Sequence, residues 1–153
     1  ISKIRDGSIK FGDIVDNARG VEIGKNSKLI SDKKLDRRYV SFLTGEDINR
    51  YSIISLRYIR LGSPDIDYKQ PELYKGRKIL VRKTGLGIKA VLDTEGHYVI
   101  QVIYIFKTKV KSVDENYLLG ILNSKLIQFY YFSVFGEQER KTFPHLILTG
   151  EYS

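Results

Sequence analysis

Cysteine is absent from the 153-residue chain, which rules out disulfides and any zinc site built on thiolates. Methionine is absent as well, and a chain that begins at Ile1 without one is expected to be a piece of a longer protein. No apolar run approaches the roughly 18 residues that a membrane helix needs. The opening "ISKIRDGSIKFGD" lacks the continuous apolar stretch of a signal peptide. A cytoplasmic location with no membrane partner is therefore the expectation. Proline is scarce, at Pro64, Pro71 and Pro144, so few breaks are imposed on the chain.

What is present is an ordinary globular composition with a strong charge bias. Apolar residues make up 42%, enough for one domain with its own core, and residues 1–153 are read as a single domain. The 26 Lys and Arg outnumber the 18 Asp and Glu, for a net charge of +8. Such an excess on a small domain favours a polyanionic partner such as nucleic acid or an acidic membrane surface. Eleven Tyr and seven Phe supply rings for the core and some for contacts.

The periodicity predicts an α+β fold, with mixed sheet and hairpins in the middle of the chain and a long amphipathic helix near the C-terminus. "SIISLRYIRLG" alternates and is rich in β-branched residues, as a strand requires. "SPDIDYKQPELYKGRK" reads as a long loop or a short helical turn between two strand-like regions. "KILVRK" and "IKAVLD", joined by the glycine-bearing "TGLG", read as a hairpin. "HYVIQVIYIFKTK", from His97 to Lys109, is the strongest strand pattern and is expected to be buried on both faces. Ser112 and Glu115 have the spacing of a capping box ahead of a helix from Asp114 to about Phe132, with Leu118, Leu122, Leu126 and Phe129 on one face.

Several stretches imitate catalytic motifs without their context. "GLGIKA" fits a dinucleotide-binding glycine pattern, but the helix that must follow is replaced by a β-branched run. "PDIDYK" resembles the carboxylate–lysine set of metal-dependent nucleases, yet Asp65, Asp67 and Lys69 crowd one proline-flanked loop. His97 and His145 are the only histidines and form no legible triad. There is no Pro-Pro, so the D/N-P-P-Y/F motif of amino-group methyltransferases is missing, as is a glycine-rich AdoMet loop. The chain is read as non-catalytic.

Taken in order, "GEDINRY", "ILVRKTGLGIKAVLD", "YVIQVIYIF", "NYLLGILNSKLIQFYY" and "FPHL" resemble the TaqI-like C-terminal specificity domain of restriction-modification adenine-N6 DNA methyltransferases and fused type II restriction enzymes. The "LLGILNSKL" stretch is also similar to type I specificity subunits. The resemblance spans roughly Gly12 to Leu146. It implies a target-recognition domain that reads a short duplex sequence and holds it for a methyltransferase domain of the same parent chain. It implies no cofactor for this part of the chain and S-adenosyl methionine for the parent enzyme.

On that resemblance the "RKTGLG" hairpin is expected to face DNA. Arg82 offers a bidentate fork to a guanine edge or a phosphate, and Lys83 a point charge for phosphate. Gly85 and Gly87 let the backbone approach the duplex closely, and Thr84 beside them is a further candidate contact. The alternative is a strand end with one cation paired inward and one in water. Arg19, Lys25, Asn26 and Lys28 form a second candidate group on a glycine-bounded basic loop, and Arg50, Tyr51, Arg140 and Lys141 a lesser one. Two rival readings stand beside DNA recognition: a nuclease fragment using Asp65, Asp67 and Lys69, and a protein-docking module using the 114–132 helix.

Overall fold

The computed structural model describes residues 15–82, 88–125 and 127. Two four-stranded sheets and a helix form three layers. The first sheet contains β1 (Val15–Arg19), β10 (Ile103–Thr108), β7 (Lys78–Arg82) and β8 (Lys89–Asp93), in that spatial order and all antiparallel. The second contains β2 (Ile30–Ser31), β6 (Arg57–Arg60), β3 (Tyr39–Leu43) and β9 (Tyr98–Val99), the last pairing parallel to β3. A small hairpin, β4 (Ile48–Asn49) and β5 (Ser52–Ile53), packs on β8. The fold is α+β, as expected.

The first sheet is covered on both faces, which explains why "KILV" is apolar without alternation. Leu80, Val91, Ile103 and Ile105 face Phe42, Leu43, Ile59 and Val99 of the second sheet. Ile79, Val81, Ala90 and Phe106 face the other way, onto the helix. Each fully buried aliphatic or aromatic side chain in these layers adds about 1.5–3 kcal/mol by leaving water.

Three expectations change in the folded chain. The single strand anticipated from His97 to Lys109 is two strands in different sheets. The chain crosses between them through residues 100–102, and the Gln101 side chain accepts from Ile23 N at 3.1 Å. An apolar run signals burial, and burial is equally served by two sheets. "SIISLRYIRLG" likewise divides into β5 and β6 around residues 54–56. The helix, α1, runs Glu115–Leu122 with Asn123 as its C-cap. Its N-cap is Asp114, not Ser112: the Asp114 carboxylate accepts from Asn116 N at 2.9 Å, while Glu115 is engaged by Arg77 Nε at 2.9 Å. Leu118, Leu119 and Leu122 are buried against the first sheet, and most of the expected continuation to Phe132 lies outside the described residues.

Candidate nucleic-acid interface

The end of the first sheet where β1 and β7 finish and β8 and β10 begin gathers the cations that the sequence scatters. Arg19, Tyr104, Val81 and Ala90 form one cross-strand row, so Arg19 stands two strand spacings, roughly 10 Å, from Val81. In the next row Arg82 lies directly opposite Lys89 across the β7–β8 hairpin.

That pairing is unusual for a sheet. Like charges placed directly opposite each other destabilise a ladder. Neither side chain has a hydrogen bond or ion pair among the described residues, and Arg82 Nε is buried without a partner. Arg82 lies beside the Gly45–Asp47 turn: a Cβ on Gly45 would sit 3.8 Å from Arg82 Nε.

The turn beside Arg82 is held rigidly. Asp47 is fully buried and accepts from Thr44 N at 2.7 Å, Thr44 Oγ1 at 2.8 Å, the Ser55 hydroxyl, and Arg57 Nε at 3.1 Å. Arg57 also reaches Glu46 at 3.6 Å and Asp32 at 3.7 Å. Its charge is therefore balanced by carboxylates of this chain.

The second candidate group arrives at the same end. Arg19 is exposed, with Nε 3.5 Å from Gln101 O. The chain then passes Gly20, where a Cβ would collide with the Val99 and Ile100 carbonyls, and only glycine allows that approach. Lys25 and Asn26 occupy the turn closed by Ser27 N on Gly24 O at 2.9 Å, and both are exposed, as is Lys28. Lys25 spans 3.5 Å to Glu46, tying this loop to the Gly45–Asp47 turn. The two candidate regions, far apart in sequence, are thus neighbours. Lys83, Thr84, Gly85 and Gly87 lie outside the described residues, as do Arg140, Lys141 and His145.

Lys89 was not singled out from the sequence. It sits inside "IKAVLD", whose apolarity announces a strand and hides a polar end. Counting the hairpin register outward from "TGLG" would have set it against Arg82.

The motifs set aside on sequence grounds have local partners. Asp67 is exposed and bound by Lys69, Nζ at 3.0 Å and backbone N at 2.9 Å; these bonds hold its carboxyl below the usual carboxylate range. "IKAVLD" is strand β8, not a phosphate-cradling helix. His97 is buried, with Nδ1 2.7 Å from Ser41 Oγ. Among the described residues no three His, Asp or Glu side chains are grouped to hold a metal, and no helix is long and apolar enough to cross a membrane.

A family model described as the TaqI-like C-terminal specificity domain matches residues 40–150. The chain belongs to this family. No curated protein matches it. The matched span contains the Gly45–Asp47 turn, the β4–β5 and β7–β8 hairpins and α1, whereas Arg19 to Lys28 precede it. As a specificity domain the chain is non-catalytic, and its place is in restriction-modification target recognition.

Proposed function

We propose that this chain binds duplex DNA in a sequence-specific manner and holds it for adenine methylation by a catalytic domain of its parent restriction-modification enzyme. The observation that carries the reading is the Arg82–Lys89 pair: two adjacent cations at one sheet end, neither ion-paired among the described residues, with Arg82 Nε buried and unpartnered. Both side chains are only half-buried, and a phosphate or guanine edge would give the pair the anionic partner it lacks. Arg19, Lys25, Asn26 and Lys28 extend the same surface, and Lys83, Thr84, Gly85 and Gly87, which stand between the two cations in the sequence, are proposed as further contacts. S-adenosyl methionine belongs to the catalytic domain. The docking alternative through the helix is disfavoured, because Leu118, Leu119 and Leu122 are already buried in this chain's own core.

The test is a fluorescence-anisotropy titration with duplex DNA over a range of salt concentrations, comparing the unaltered chain with Arg82→Ala/Lys89→Ala. Binding should weaken with salt. The double variant should flatten the slope of log affinity against log salt by about one for each phosphate that its missing cations no longer neutralise. Unchanged affinity and slope in the variant would remove this sheet end from the interface.

A further inference from the structure

The β4–β5 hairpin turns on Arg50 and Tyr51, and Tyr51 has φ 67°. In that left-handed region a β-carbon crowds the backbone, and glycine or asparagine is the usual occupant of the second corner of such a turn. No core packing compensates Tyr51, which is 61% exposed. Its backbone is nevertheless fixed: Tyr51 N–H donates to Ala90 O at 3.2 Å, the carbonyl that Asn123 Nδ2 holds at 2.9 Å. Ala90 directly follows Lys89, so the hairpin tip is anchored one residue from the Arg82–Lys89 pair. Arg50, beside it, is exposed and its guanidinium has no partner among the described residues. The fold thus keeps an exposed ring on a strained, hydrogen-bonded backbone at the edge of a cationic surface. The backbone bond would be kept by glycine, so the tyrosine side chain is not what holds the turn, and strained positions of this kind cluster at functional sites.

We infer that Tyr51 is an uncharged specificity residue for the duplex. Its ring packs against base edges in the groove, such as a thymine methyl, while Arg50, Arg82 and Lys89 engage phosphate. The inference rests on the DNA-binding reading above and adds a residue whose contribution is not electrostatic.

Duplexes enriched from a randomised library by the unaltered chain, and a scrambled duplex of equal length, are titrated against the unaltered chain and Tyr51→Gly at three salt concentrations, with thermal melts in parallel. Glycine relieves the left-handed strain, so Tyr51→Gly should melt no lower than the unaltered chain. It should bind the enriched duplex about five- to tenfold more weakly, as removal of one base-reading side chain implies. Affinity for the scrambled duplex and the salt slope should be unchanged, because a neutral ring releases no counterions. Equal affinity for the enriched duplex, an altered salt slope or a lower melting temperature would overturn the assignment of Tyr51 and leave DNA binding standing. Failure of the unaltered chain to bind or enrich any duplex would overturn both.

Discussion

The side-chain amide of Asn123 completes the edge of the first sheet at Ala90. Asn123 Oδ1 accepts from Ala90 N at 2.8 Å and Nδ2 donates to Ala90 O at 2.9 Å, so one residue of α1's C-cap does for β8 what a neighbouring strand would do. Both groups are buried, where an unpaired backbone N–H is costly. This gives "LLGILNSKL" a physical meaning: Leu118, Leu119 and Leu122 seat the helix and Asn123 closes the sheet edge that carries Lys89 and anchors Tyr51.

Asn123→Leu should therefore destabilise the chain by about 1–3 kcal/mol, the cost of orphaning the Ala90 N–H. Urea unfolding measures it. The Ala90 carbonyl retains Tyr51 N–H, so most of the cost is expected from the donor. A change below a few tenths of a kcal/mol would mean that water replaces the amide.

Lys78 and Asp93 form a fully buried ion pair at 2.5 Å across the β7–β8 hairpin. Lys78 also donates to Tyr74 O at 2.6 Å, and Asp93 accepts from the backbone N–H groups of Glu95 and His97. Burial holds the lysine below its usual pKa, against the opposing pull of Asp93. Lys78→Met leaves a buried carboxylate without its cation and should cost about 3–5 kcal/mol. Adding Asp93→Asn should recover part of that loss, because the remaining group is neutral. If chemical denaturation shows the double variant no more stable than Lys78→Met, charge is not the source of the cost.

Tyr74 is fully buried, stacks on Tyr98 with ring centroids 4.0 Å apart, and donates its hydroxyl to Tyr68 O at 2.8 Å. Burial, and then the neighbouring Tyr98 and Asp67, push its pKa well above 10.0. Burial raises that of Tyr98 as well. A raised acid keeps its proton in the folded state when the unfolded chain has lost it. Stability from these tyrosines is thus complete below the unfolded value of 10.0 and falls as pH rises above it, by up to about 1.4 kcal/mol per pH unit for each group. Tyr74→Phe should lose about 1 kcal/mol at neutral pH through the missing hydrogen bond, yet show a shallower alkaline decline. Denaturant melts across pH 8–11 test both effects.

The residue pattern alone determined the α+β class, the β7–β8 hairpin and the seating of the leucines of α1, because each rests on local periodicity or turn chemistry; it left the 63–78 segment between a long loop and a short helical turn. It also established the basic character of the chain and the family. Tertiary structure decided the rest. Nothing local in "HYVIQVIYIFKTK" says that its halves join different sheets, since apolarity reports burial and not the partner. Spacing suggested Ser112 as the helix cap, but Glu115 is drawn to Arg77, which only the fold brings near, and Asp114 caps instead. The candidate interface follows the same rule. Arg82 stood out as a cation at a strand end, whereas its unpaired apposition to Lys89, its proximity to the Arg19–Lys28 loop and the mounting of Tyr51 on Ala90 depend on strand register. Register is fixed by which faces the two cores bury, and those cores assemble from segments throughout the chain.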